Sequence, residues 1–344
     1  MKVLLPTLDY PPAQGGVARY LAALVRVLGN QVEVVTDGLL TSRGWPRWWP
    51  TLRLLVQKKQ MYDIVLTSHV LPVGTAAWMA GWVTRKPYAV IVHGMDIGLA
   101  KQSWYKRWLV RQVLRGAAFV VTNSKALAVE VADAFGVRES VVAYPPVDLP
   151  PQRLFLARTP SDVLRLLTVS RLVSRKGHLT VLEALASIRA SQPELLFQYT
   201  IVGSGPMQQA VTDRIAQLHL AAHVEILSEV KDEELAGVYT SHDVFVMPVT
   251  KDAVDREGFG IVYLEAASFG LPSIATRLPG VDEAVLEGQT GILTDGSVAE
   301  VASAILKLAT DPVYREQLGQ AAQGRAREQF CAEKTFESLV KRLS

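Results

Sequence analysis

The stretch LLTVSRLVSRKGHLTVLEAL, residues 166 to 185, indicates the architecture of the chain. It opens with a short apolar run that is typical of a buried strand, continues through a loop that contains Arg171 and Lys176, and ends in a helical pattern. A strand, a loop and a helix in this order form the repeating unit of a parallel sheet that is covered by helices. The same succession recurs along the chain, and it predicts an α/β fold.

Short runs rich in valine and isoleucine are the predicted strands of this fold. They are KVLLPT, VEVVT, DIVLTS, YAVIVHG and FVVTNS in the first half, and LLTVS, YTIVGSG, HVEIL, DVFVMP and PSIATR in the second. Between the halves, residues 144 to 162 contain five prolines and no periodicity, which is typical of a boundary. We therefore predict two doubly wound, Rossmann-like domains that face a cleft, divided between residues 150 and 151. In such sheets ligands bind outside the carboxyl ends of the strands.

Length and composition favour a cytoplasmic globular protein. The chain has 344 residues, 49% of them apolar, and can bury a large core. Its single cysteine, Cys331, cannot form an internal disulfide, and its N-terminal sequence turns polar too early for a signal peptide.

The stretch from Ile64 to Val83 lacks Asp, Glu, Lys and Arg and has the length of a membrane span, but polar residues, a proline and a glycine interrupt it. We predict a strand, a loop and a helix there instead.

The charge of the chain is unevenly distributed. The formal net charge is +3, but residues 1 to 150 carry 17 Lys and Arg against 9 Asp and Glu, whereas residues 151 to 344 carry 19 against 24. The positive charge of the first half is concentrated in residues 43 to 59 and 101 to 116. The small net charge gives no reason to expect a nucleic-acid partner, and we predict none.

The second basic segment has a pattern suited to a membrane surface. Arg107, Arg111 and Arg115 recur at helical spacing beside Trp104 and Trp108. Cations and tryptophans on one helix fit a peripheral contact with an anionic bilayer. The same pattern also fits a solvated helix face whose tryptophans turn into the core, so the sequence leaves both interpretations open.

Two predicted loops at strand ends combine features that suit phosphate. Gly15 and Gly16 precede a helix, and paired glycines at such a place let backbone amides approach a phosphate. Arg171 and Lys176 precede another helix, whose dipole they would oppose unless an anion lay between them. A diphosphate would satisfy both cations and the helix. The alternative is a pair of solvated surface charges.

Two further loops have different predicted roles. IVGSGP, residues 201 to 206, resembles the start of a dinucleotide fingerprint, but the required further glycine is replaced by Gln208. We therefore predict a tight turn from strand to helix there, and not a nicotinamide site. In the other loop, Gly258 and Gly260 flank Phe259 at the start of a helix, where exposed amides would form a second anion site.

The stretch DREGFGIVYLEAASFG, residues 255 to 270, contains two glutamates eight positions apart. Glu265 lies about two turns inside a predicted helix, where a carboxylate can accept hydrogen bonds from the paired hydroxyls of a ribose. Glu257 precedes the Gly-Phe-Gly turn and would point beyond the distal phosphate. The alternative is a capping acid at Glu257 and an ion-paired Glu265, which leaves the cations and glycines of the other loops unexplained.

EGFGIVYLE, residues 257 to 265, resembles the Glu-x7-Glu motif of retaining glycosyltransferases of the GT-B fold. It is most similar to their large family 4, which contains bacterial mannosyltransferases and glucosyltransferases, and in particular to those that modify phosphatidylinositol. Further segments resemble landmarks of that family in the same order. They are GGVARY, VHGMD, VTNSKALAVEV, SRLVSRKG, IVGSGP, GLPSIAT and RLPGVDEAVLEGQTGIL.

The resemblance implies a role for each matching residue. Glu265 would bind the nucleotide ribose, and Glu257 and His93 would contact the donor sugar. The implied catalytic residues are Glu257, His93, Arg171 and Lys176. The implied donor-binding residues are Gly15, Gly16, Arg171, Lys176, Val230, Asp232, Gly258, Phe259, Gly260, Ile261 and Glu265.

Within that set, Arg171 and Lys176 would hold the diphosphate together with Gly16 and the amides that follow Phe259. The loop with Val230 and Asp232 would lie against the base. The resemblance further implies a nucleotide-sugar domain at residues 151 to 325 and an acceptor domain at residues 1 to 150, with residues 326 to 344 forming a last helix that packs back on the acceptor domain.

The predicted function is that of a retaining hexosyltransferase. It would move a hexose from a nucleotide-diphosphate sugar, with GDP-mannose favoured over a UDP-sugar, to a lipid or glycan acceptor at the cytoplasmic face of a membrane, with no obligatory cofactor. We predict no metal site, because no Asp-x-Asp motif is present and the histidines show no metal-ligand spacing. The alternatives are an epimerase of nucleotide-linked sugars on the same fold and a non-catalytic nucleotide-binding protein.

Overall fold

The structure is a computed structural model that describes residues 1–13, 15–36, 38, 40–41, 46–94, 97–98, 100, 103–149, 162–250 and 258–344. These residues form two compact units. The first contains Met1–Pro146, Gly258 and Ala332–Ser344, and the second contains the other described residues from Val147 to Cys331. The chain therefore leaves the first unit after Pro146, and Gly258 and the residues from Ala332 onward belong to that unit again.

Strands and helices alternate along most of the described chain. The strands are β1 (Val3–Pro6), β2 (Val32–Val35), β3 (Ile64–Thr67), β4 (Tyr88–Val92), β5 (Phe119–Thr122), β6 (Ser140–Val142), β7 (Val163–Val169), β8 (Leu196–Val202), β9 (Val224–Leu227), β10 (Val244–Met247), β11 (Ser273–Thr276) and β12 (Gly291–Thr294). The helices are α1 (Gly16–Leu28), α2 (Trp49–Gln57), α3 (Thr75–Thr84), α4 (Trp104–Gly116), α5 (Lys125–Phe135), α6 (His178–Ser191), α7 (Gln208–Gln217), α8 (Asp232–Thr240), α9 (Ile261–Ser268), α10 (Val281–Ala284), α11 (Val298–Thr310), α12 (Pro312–Gln329), α13 (Ala332–Thr335) and α14 (Glu337–Leu343).

Each unit is built on one parallel sheet. The strand order is β2-β1-β3-β4-β5-β6 in the first unit and β12-β11-β10-β7-β8-β9 in the second. The longest pairing joins β7 and β8, from Val163 opposite Leu196 to Val169 opposite Val202. Strands such as β3 and β4 are buried along their whole length, which explains their continuous apolar runs. The predicted α/β fold is confirmed.

Both sheets have a topological switch point, a place where the chain direction across the sheet reverses. In the first unit it lies between β1 and β3, and in the second it lies between β7 and β10. Connections on the two sides of such a point leave in opposite directions, so a crevice opens at the carboxyl ends of these strands. The residues that follow β1, β3, β7 and β10 are therefore the first places to look for a ligand.

All ten predicted strands are present, but β6 and β12 were not predicted. Both lie at an edge of their sheet. The predicted strands β2 and β9 lie at edges too, so the difference comes from the sequences of β6 and β12 themselves. β6 has only three residues, and one of them, Ser140, is exposed. β12 begins with a glycine, which is a weak strand former.

The stretch from Ile64 to Val83 has the predicted organisation. It forms β3, a short irregular turn at Val70–Gly74 and most of α3. In the described parts of the chain, no helix combines the length and the apolar character that a bilayer crossing requires.

The last two helices contribute to the core of the first unit. Phe336, Leu339 and Leu343 are fully buried there beside residues of α1 and β1. The ring of Phe336 meets that of Tyr20 edge to face, with 5.1 Å between the centroids. The C-terminal residues are therefore part of the apolar layer on one face of this sheet.

Candidate active site

The predicted diphosphate site lies at the switch point of the second unit. β7 pairs with β8 on one side and with β10 on the other. Arg171 and Lys176 follow β7, while Gly260 and Ile261 lie at the end of the connection from β10 to α9. Because parallel strands end at the same edge of a sheet, the two cations and the start of α9 flank one crevice.

The loop that carries Arg171 is held by the loop that follows β8. The amide of Leu172 donates a hydrogen bond to the carbonyl oxygen of Ser204 at 2.9 Å. Gly203 has a φ of +129°, and a Cβ at this position would lie 2.2 Å from the carbonyl oxygen of Ser170. Only glycine permits this approach. The predicted tight turn at IVGSGP is confirmed, and it shapes the neighbouring cationic loop.

Lys176 occupies a more protected position than Arg171. It ends the short 3-10 helix Ser174–Lys176 and is 7% exposed, whereas Arg171 is exposed. The next residue, Gly177, has a φ of +74°, and a Cβ there would lie 2.1 Å from the carbonyl oxygen of Pro248. The backbone that carries Lys176 is thus fixed against the segment that follows β10. A buried ammonium requires anionic or polar partners, which suits this position to phosphate chemistry.

A buried histidine that the sequence analysis did not identify supports the same loop. His178 is the first residue of α6 and is 3% exposed. Its Nε2 lies 3.2 Å from the Ser170 hydroxyl and 3.5 Å from the Arg171 carbonyl oxygen. Burial lowers the pKa of His178 to about 4. The hydrogen bond to the Arg171 carbonyl oxygen opposes this shift, and the charge of nearby Lys176 adds to it. The ring is therefore neutral at physiological pH and adds no further positive charge to this loop.

The second predicted anion site is the start of α9. Gly260 caps this helix with a φ of 78°, and the first turn contains no acidic residue. Phe259 anchors the turn, because it is 2% exposed and its ring centroid lies 5.9 Å from that of Phe330. The first amides of a helix have no acceptor within the helix, so the amides of Ile261 and Val262 are suited to an anion.

Glu265 is half-buried in the middle of α9 and is held by a tyrosine. Its Oε2 accepts a hydrogen bond from the Tyr239 hydroxyl at 3.0 Å. Tyr239 is itself buried in α8 and stacks on Phe269, with 5.1 Å between the ring centroids. A carboxylate offers about four lone-pair sites, so this bond orients Glu265 and is compatible with further donors such as ribose hydroxyls.

Val230 and Asp232 lie where the resemblance implies a base-binding loop. They follow β9, and Asp232 is the first residue of α8. Val230 is half-buried and Asp232 is exposed. The same helix carries Tyr239, so α8 links the predicted base loop to the predicted ribose ligand.

In the first unit, Gly15 and Gly16 form the start of α1. Both are exposed, Gly15 has a φ of 132°, and a Cβ at either position would meet no atom within 4 Å in the described structure. The first regular helical hydrogen bond runs from the backbone amide of Arg19 to the Gly15 carbonyl oxygen, at 3.1 Å. The amides at this helix start are therefore accessible to a ligand, as predicted for a phosphate loop.

His93 lies at the carboxyl end of β4 and packs edge to face on Tyr20, with 5.4 Å between the ring centroids. Its Nε2 is buried and has no hydrogen-bond partner among the described residues. Burial, together with a smaller effect of nearby His69, lowers the pKa of His93 to about 4. A neutral imidazole with an unpaired ring nitrogen is suited to hydrogen-bond a hydroxyl.

Asn123 and Gly258 lie beside His93 in the first unit. Asn123 follows β5 and is 8% exposed, and its Oδ1 has no hydrogen-bond partner in the described structure. A Cβ at Gly258 would lie 3.5 Å from Asn123 Nδ2 and 3.6 Å from the His93 carbonyl oxygen. The structure thus brings together the predicted residues His93 and Gly258 and adds Asn123 to them. Glu257 lies outside the described residues, so its role stays a prediction.

A hydrogen-bonded chain that the sequence analysis missed crosses the switch point of the first unit. The hydroxyls of Thr7 and Ser68 are 2.8 Å apart, and Ser68 Oγ lies 3.0 Å from His69 Nδ1. His69 Nε2 lies 3.2 Å from Asp9 Oδ2. In the sequence, Ser68 and His69 only interrupt an apolar stretch, and their pairing with Thr7 and Asp9 depends on the adjacency of β1 and β3.

The predicted membrane-facing residues lie on the exposed face of α4. Arg107, Arg111 and Arg115 are exposed, and so are Trp104 and Trp108. The alternative in which the tryptophans turn into the core is therefore wrong.

Two of these arginines have an additional structural role. A Cβ at Gly136, which ends α5, would lie 3.9 Å from Arg111 Nη2 and 4.0 Å from Arg115 Cδ. A cation near the C-terminal end of a helix is favourable for the helix dipole. Both arginines therefore also support the end of α5.

Comparison with known proteins defines the class. A model described as "Glycosyl transferases group 1" matches residues 157–325, and a "Glycosyl transferase 4-like domain" matches residues 3–147. The structure of Anabaena Alr3699/HepE in complex with UDP matches with a TM-score of 0.79 at 22% identity, over 100% of this chain and 99% of that one. The two sheets therefore have the GT-B fold, as predicted.

Sequence relatives identify the family. The GDP-mannose-dependent alpha-(1-6)-phosphatidylinositol monomannoside mannosyltransferase of Mycolicibacterium smegmatis is 30% identical over 363 residues, which cover 93% of this chain and 92% of that protein. A protein of the same description from Mycobacterium tuberculosis H37Rv is 29% identical over 389 residues, which cover 100% of this chain and 97% of that protein. The chain belongs to the group 1 glycosyltransferases, and the family resemblance found in its sequence is confirmed.

The first prediction concerns the Tyr239–Glu265 hydrogen bond. Tyr239→Phe should weaken the binding of a nucleoside diphosphate about three- to tenfold, because Glu265 loses the donor that orients it. Isothermal titration calorimetry with GDP and UDP measures the change. Tyr314→Phe, which alters a hydroxyl away from α8 and α9, serves as the control. Equal affinities of the wild type and Tyr239→Phe for both nucleotides would show that this hydrogen bond does not contribute to nucleotide binding.

The second prediction concerns the pH dependence of stability. The pKa of His178 lies near 4 in the folded chain and near about 6.5 in an unfolded one, so acidification protonates the unfolded state first. The stabilising contribution of the neutral ring is therefore present above about pH 6.5 and is lost toward about pH 4. Between about pH 7 and about pH 5, the protonation of His178 should lower the free energy of unfolding of the second unit by about 2 kcal/mol.

Calorimetric unfolding of the wild type and His178→Gln tests this expectation. His178→Gln should show a smaller fall in the unfolding midpoint over that pH range, because glutamine does not titrate there. His219→Asn, which changes an exposed histidine of the same unit, should retain the wild-type dependence. The same pH dependence in His178→Gln and the wild type would contradict the assignment.

Proposed function

We propose that this glycosyltransferase is a retaining hexosyltransferase that moves mannose from GDP-mannose to a lipid or glycan acceptor at the cytoplasmic face of a membrane. The observation that carries the proposal is the position of Arg171, Lys176 and the start of α9 on the two connections that flank the switch point of the second unit. Two cations and a helix start at one crevice match the charge of a diphosphate.

The chemistry assigned to these groups is stabilisation of the leaving group. As the bond between the sugar C1 and the phosphate oxygen breaks, negative charge grows on the diphosphate. Cations that are already in place stabilise this charge without reorganisation. The acceptor hydroxyl forms its bond to C1 on the face that the phosphate leaves, and its proton passes to the departing phosphate oxygen. The anomeric configuration is thereby retained.

The nucleoside would be held by α8 and α9. Glu265 accepts hydrogen bonds from the ribose hydroxyls in an orientation set by Tyr239. Val230 lies just before α8 and Asp232 is its first residue, and both contact the base. This assignment follows the family resemblance, and α8 supports it because this helix carries both Asp232 and Tyr239, the residue that orients Glu265.

The donor sugar would be recognised by Glu257 and His93. Sugars present hydroxyls, which pair with a carboxylate or with a neutral imidazole. His93 is neutral at physiological pH, and its buried Nε2 has no partner among the described residues. A hydroxyl of the sugar would satisfy that nitrogen. The role is therefore hydrogen bonding rather than charge stabilisation.

GDP-mannose is favoured as donor by the sequence relatives. The mycobacterial proteins that share about 30% identity with nearly the whole chain are described as GDP-mannose-dependent. The HepE structure contains UDP, but at 22% identity its likeness supports the fold and not the choice of base. A UDP-sugar is accordingly the second donor to test.

A lipid acceptor is favoured by the surface of the first unit. Trp104 and Trp108 are 84% and 50% exposed on the helix that carries three exposed arginines. Exposed aromatic residues next to cations are typical of a helix that lies in the interface of an anionic membrane. The relatives named above act on phosphatidylinositol derivatives according to their descriptions.

A thermal-shift titration with GDP, UDP and ADP, each with and without magnesium, tests the donor. GDP should raise the unfolding midpoint in the absence of magnesium, because the two cations and the helix amides hold the diphosphate. A ligand at about 100 times its dissociation constant stabilises a protein by about 2.7 kcal/mol. A rise of the unfolding midpoint with UDP alone would identify a UDP-sugar as the donor instead of GDP-mannose. The absence of any shift would contradict the proposed function.

Variants then separate binding from transfer. Arg171→Gln and Lys176→Gln should each weaken GDP binding about tenfold or more, because each removes a charge-assisted hydrogen bond. Arg189→Gln, at the opposite end of α6, is the charge-matched control. Glu257→Ala should bind GDP normally but lose transfer, since its expected partner is the sugar. Full transfer activity in Lys176→Gln or Glu257→Ala would contradict the site.

Membrane contact is a separate prediction. Vesicles that contain phosphatidylglycerol should sediment the protein at low salt and release it at about 1 M salt, where the screening length falls to about 3 Å. The triple variant Arg107→Gln/Arg111→Gln/Arg115→Gln should reduce the bound fraction about twofold or more. A control with Arg189, Lys231 and Arg277 of the second unit changed to Gln should bind normally. Equal binding of the two triple variants would contradict a membrane role for α4.

A further inference from the structure

The two basic segments of the first unit meet around one apolar cavity. Its volume is ≈ 390 Å³, and it is lined by residues just before α2, in the connection from β3 to α3, and in α4. Pockets that hold small molecules typically measure about 300 to 1,000 Å³. The residues already assigned to donor binding or catalysis do not line it.

The walls of this cavity are mostly hydrocarbon. Val70, Leu71 and Pro72 contribute from the β3–α3 connection, and Leu109 contributes from α4. The rings of Trp48 and Tyr105 complete the lining from the two basic segments. Apolar cavities exclude water and accept apolar ligands. The chemistry of the walls therefore fits an alkyl chain.

One buried polar group lies in this apolar lining. Thr75 is 3% exposed, and its hydroxyl has no hydrogen-bond partner in the described part of the chain. Buried hydroxyls in folded proteins nearly always have a partner. A ligand with a hydrogen-bonding group next to its alkyl chain, such as a glycerol ester, would provide one.

The rim of the cavity is cationic. Arg47 and Lys106 line it and are exposed. Residues 38 to 62 and 101 to 116, which contain these two cations, include no Asp or Glu. The charge at the rim is therefore complementary to an anionic head group such as a phosphate diester.

Exposed aromatic side chains surround the same elements. Trp49 at the start of α2 is 56% exposed, and Trp104 at the start of α4 is 84% exposed. Tryptophans at such positions are typical of the boundary between water and lipid. A ligand of this cavity would thus enter from a bilayer surface.

We propose that this cavity binds one acyl chain of an anionic phospholipid, whose phosphate is held by Arg47 and Lys106 and whose ester group pairs with Thr75. The inference rests on the proposed function and deepens it, because the bound lipid is of the class expected for the acceptor. It adds a hydrophobic subsite that would select a lipid-linked acceptor over a free glycan.

Short-chain lipids below their critical micelle concentration test the proposal without a bilayer or a donor. Dioctanoyl phosphatidylglycerol should bind saturably with one molecule per chain in isothermal titration or native mass spectrometry. Dioctanoyl phosphatidylcholine should bind about tenfold more weakly, because it lacks the net negative charge that Arg47 and Lys106 recognise. The absence of saturable binding, or equal affinity for the two lipids, would overturn the proposal.

Substitutions locate the bound lipid. Leu109→Trp and Leu71→Trp fill the cavity from two sides and should each weaken phosphatidylglycerol binding about tenfold or more by steric exclusion. Val129→Trp places the same ring on an exposed position of α5 and should bind as the wild type does. Circular dichroism and GDP binding establish that each variant is folded. Wild-type lipid affinity in both cavity-filling variants would overturn the proposal.

The head-group contact is tested by charge removal. Arg47→Gln/Lys106→Gln should remove most of the preference for phosphatidylglycerol over phosphatidylcholine. Arg53→Gln/Lys59→Gln removes two exposed cations outside the cavity and should keep this lipid preference. If both double variants prefer phosphatidylglycerol as the wild type does, the head-group contact is overturned. GDP binding by the same preparations separates the two proposals. Lipid binding without GDP binding would overturn the proposed function alone, and GDP binding without lipid binding would overturn this inference alone.

Discussion

The contact between the loops that follow β7 and β8 is the constraint on which the proposed donor site depends. Gly203 brings the second loop so close to the Ser170 carbonyl oxygen that no side chain fits between them. Beyond that contact, His178 joins Ser170 and the Arg171 carbonyl oxygen from the start of α6. Its neutrality matters electrostatically, because an imidazolium next to Lys176 would add repulsion that only an anion could offset. The loop can therefore present Arg171 and Lys176 before any diphosphate is bound.

The two units apply the same topological rule to different chemistry. At the switch point of the second unit the distinctive groups are cations and helix amides, which suit phosphate. At that of the first unit they are the paired hydroxyls of Thr7 and Ser68 and the contact between Asp9 and His69. His93 and Asn123 add buried polar atoms that lack partners among the described residues. Groups that both donate and accept hydrogen bonds suit sugar hydroxyls better than phosphate oxygens, which only accept. The chemical contrast supports a phosphate-binding role for the second unit and a hydroxyl-binding role for the first.

Much of this could be predicted from the sequence because it depends on neighbours along the chain. The central strands, the cations at 171 and 176 and the glycines at 258 and 260 all stand out in local patterns. The edge strands β6 and β12 did not, since β6 has only three residues and β12 begins with a glycine. Tyr239 lies 26 positions from Glu265, and Ser68 lies 61 positions from Thr7. Only the packed sheets bring such residues together, so no pattern along the chain could reveal them.

The basic segment at residues 101 to 116 shows where a correct pattern still left the interpretation undecided. Trp104, Trp108, Arg111 and Arg115 follow each other at intervals of four, three and four, so they share one stripe of α4 whichever way the helix faces. Val110, Val113 and Leu114 form a second apolar stripe, and these are the residues that the structure buries. With the core contact already supplied, the tryptophans remain exposed, which is energetically unfavourable in water. A lipid surface would remove that cost, and it would bring an anionic head group within reach of the cationic rim of the adjoining cavity.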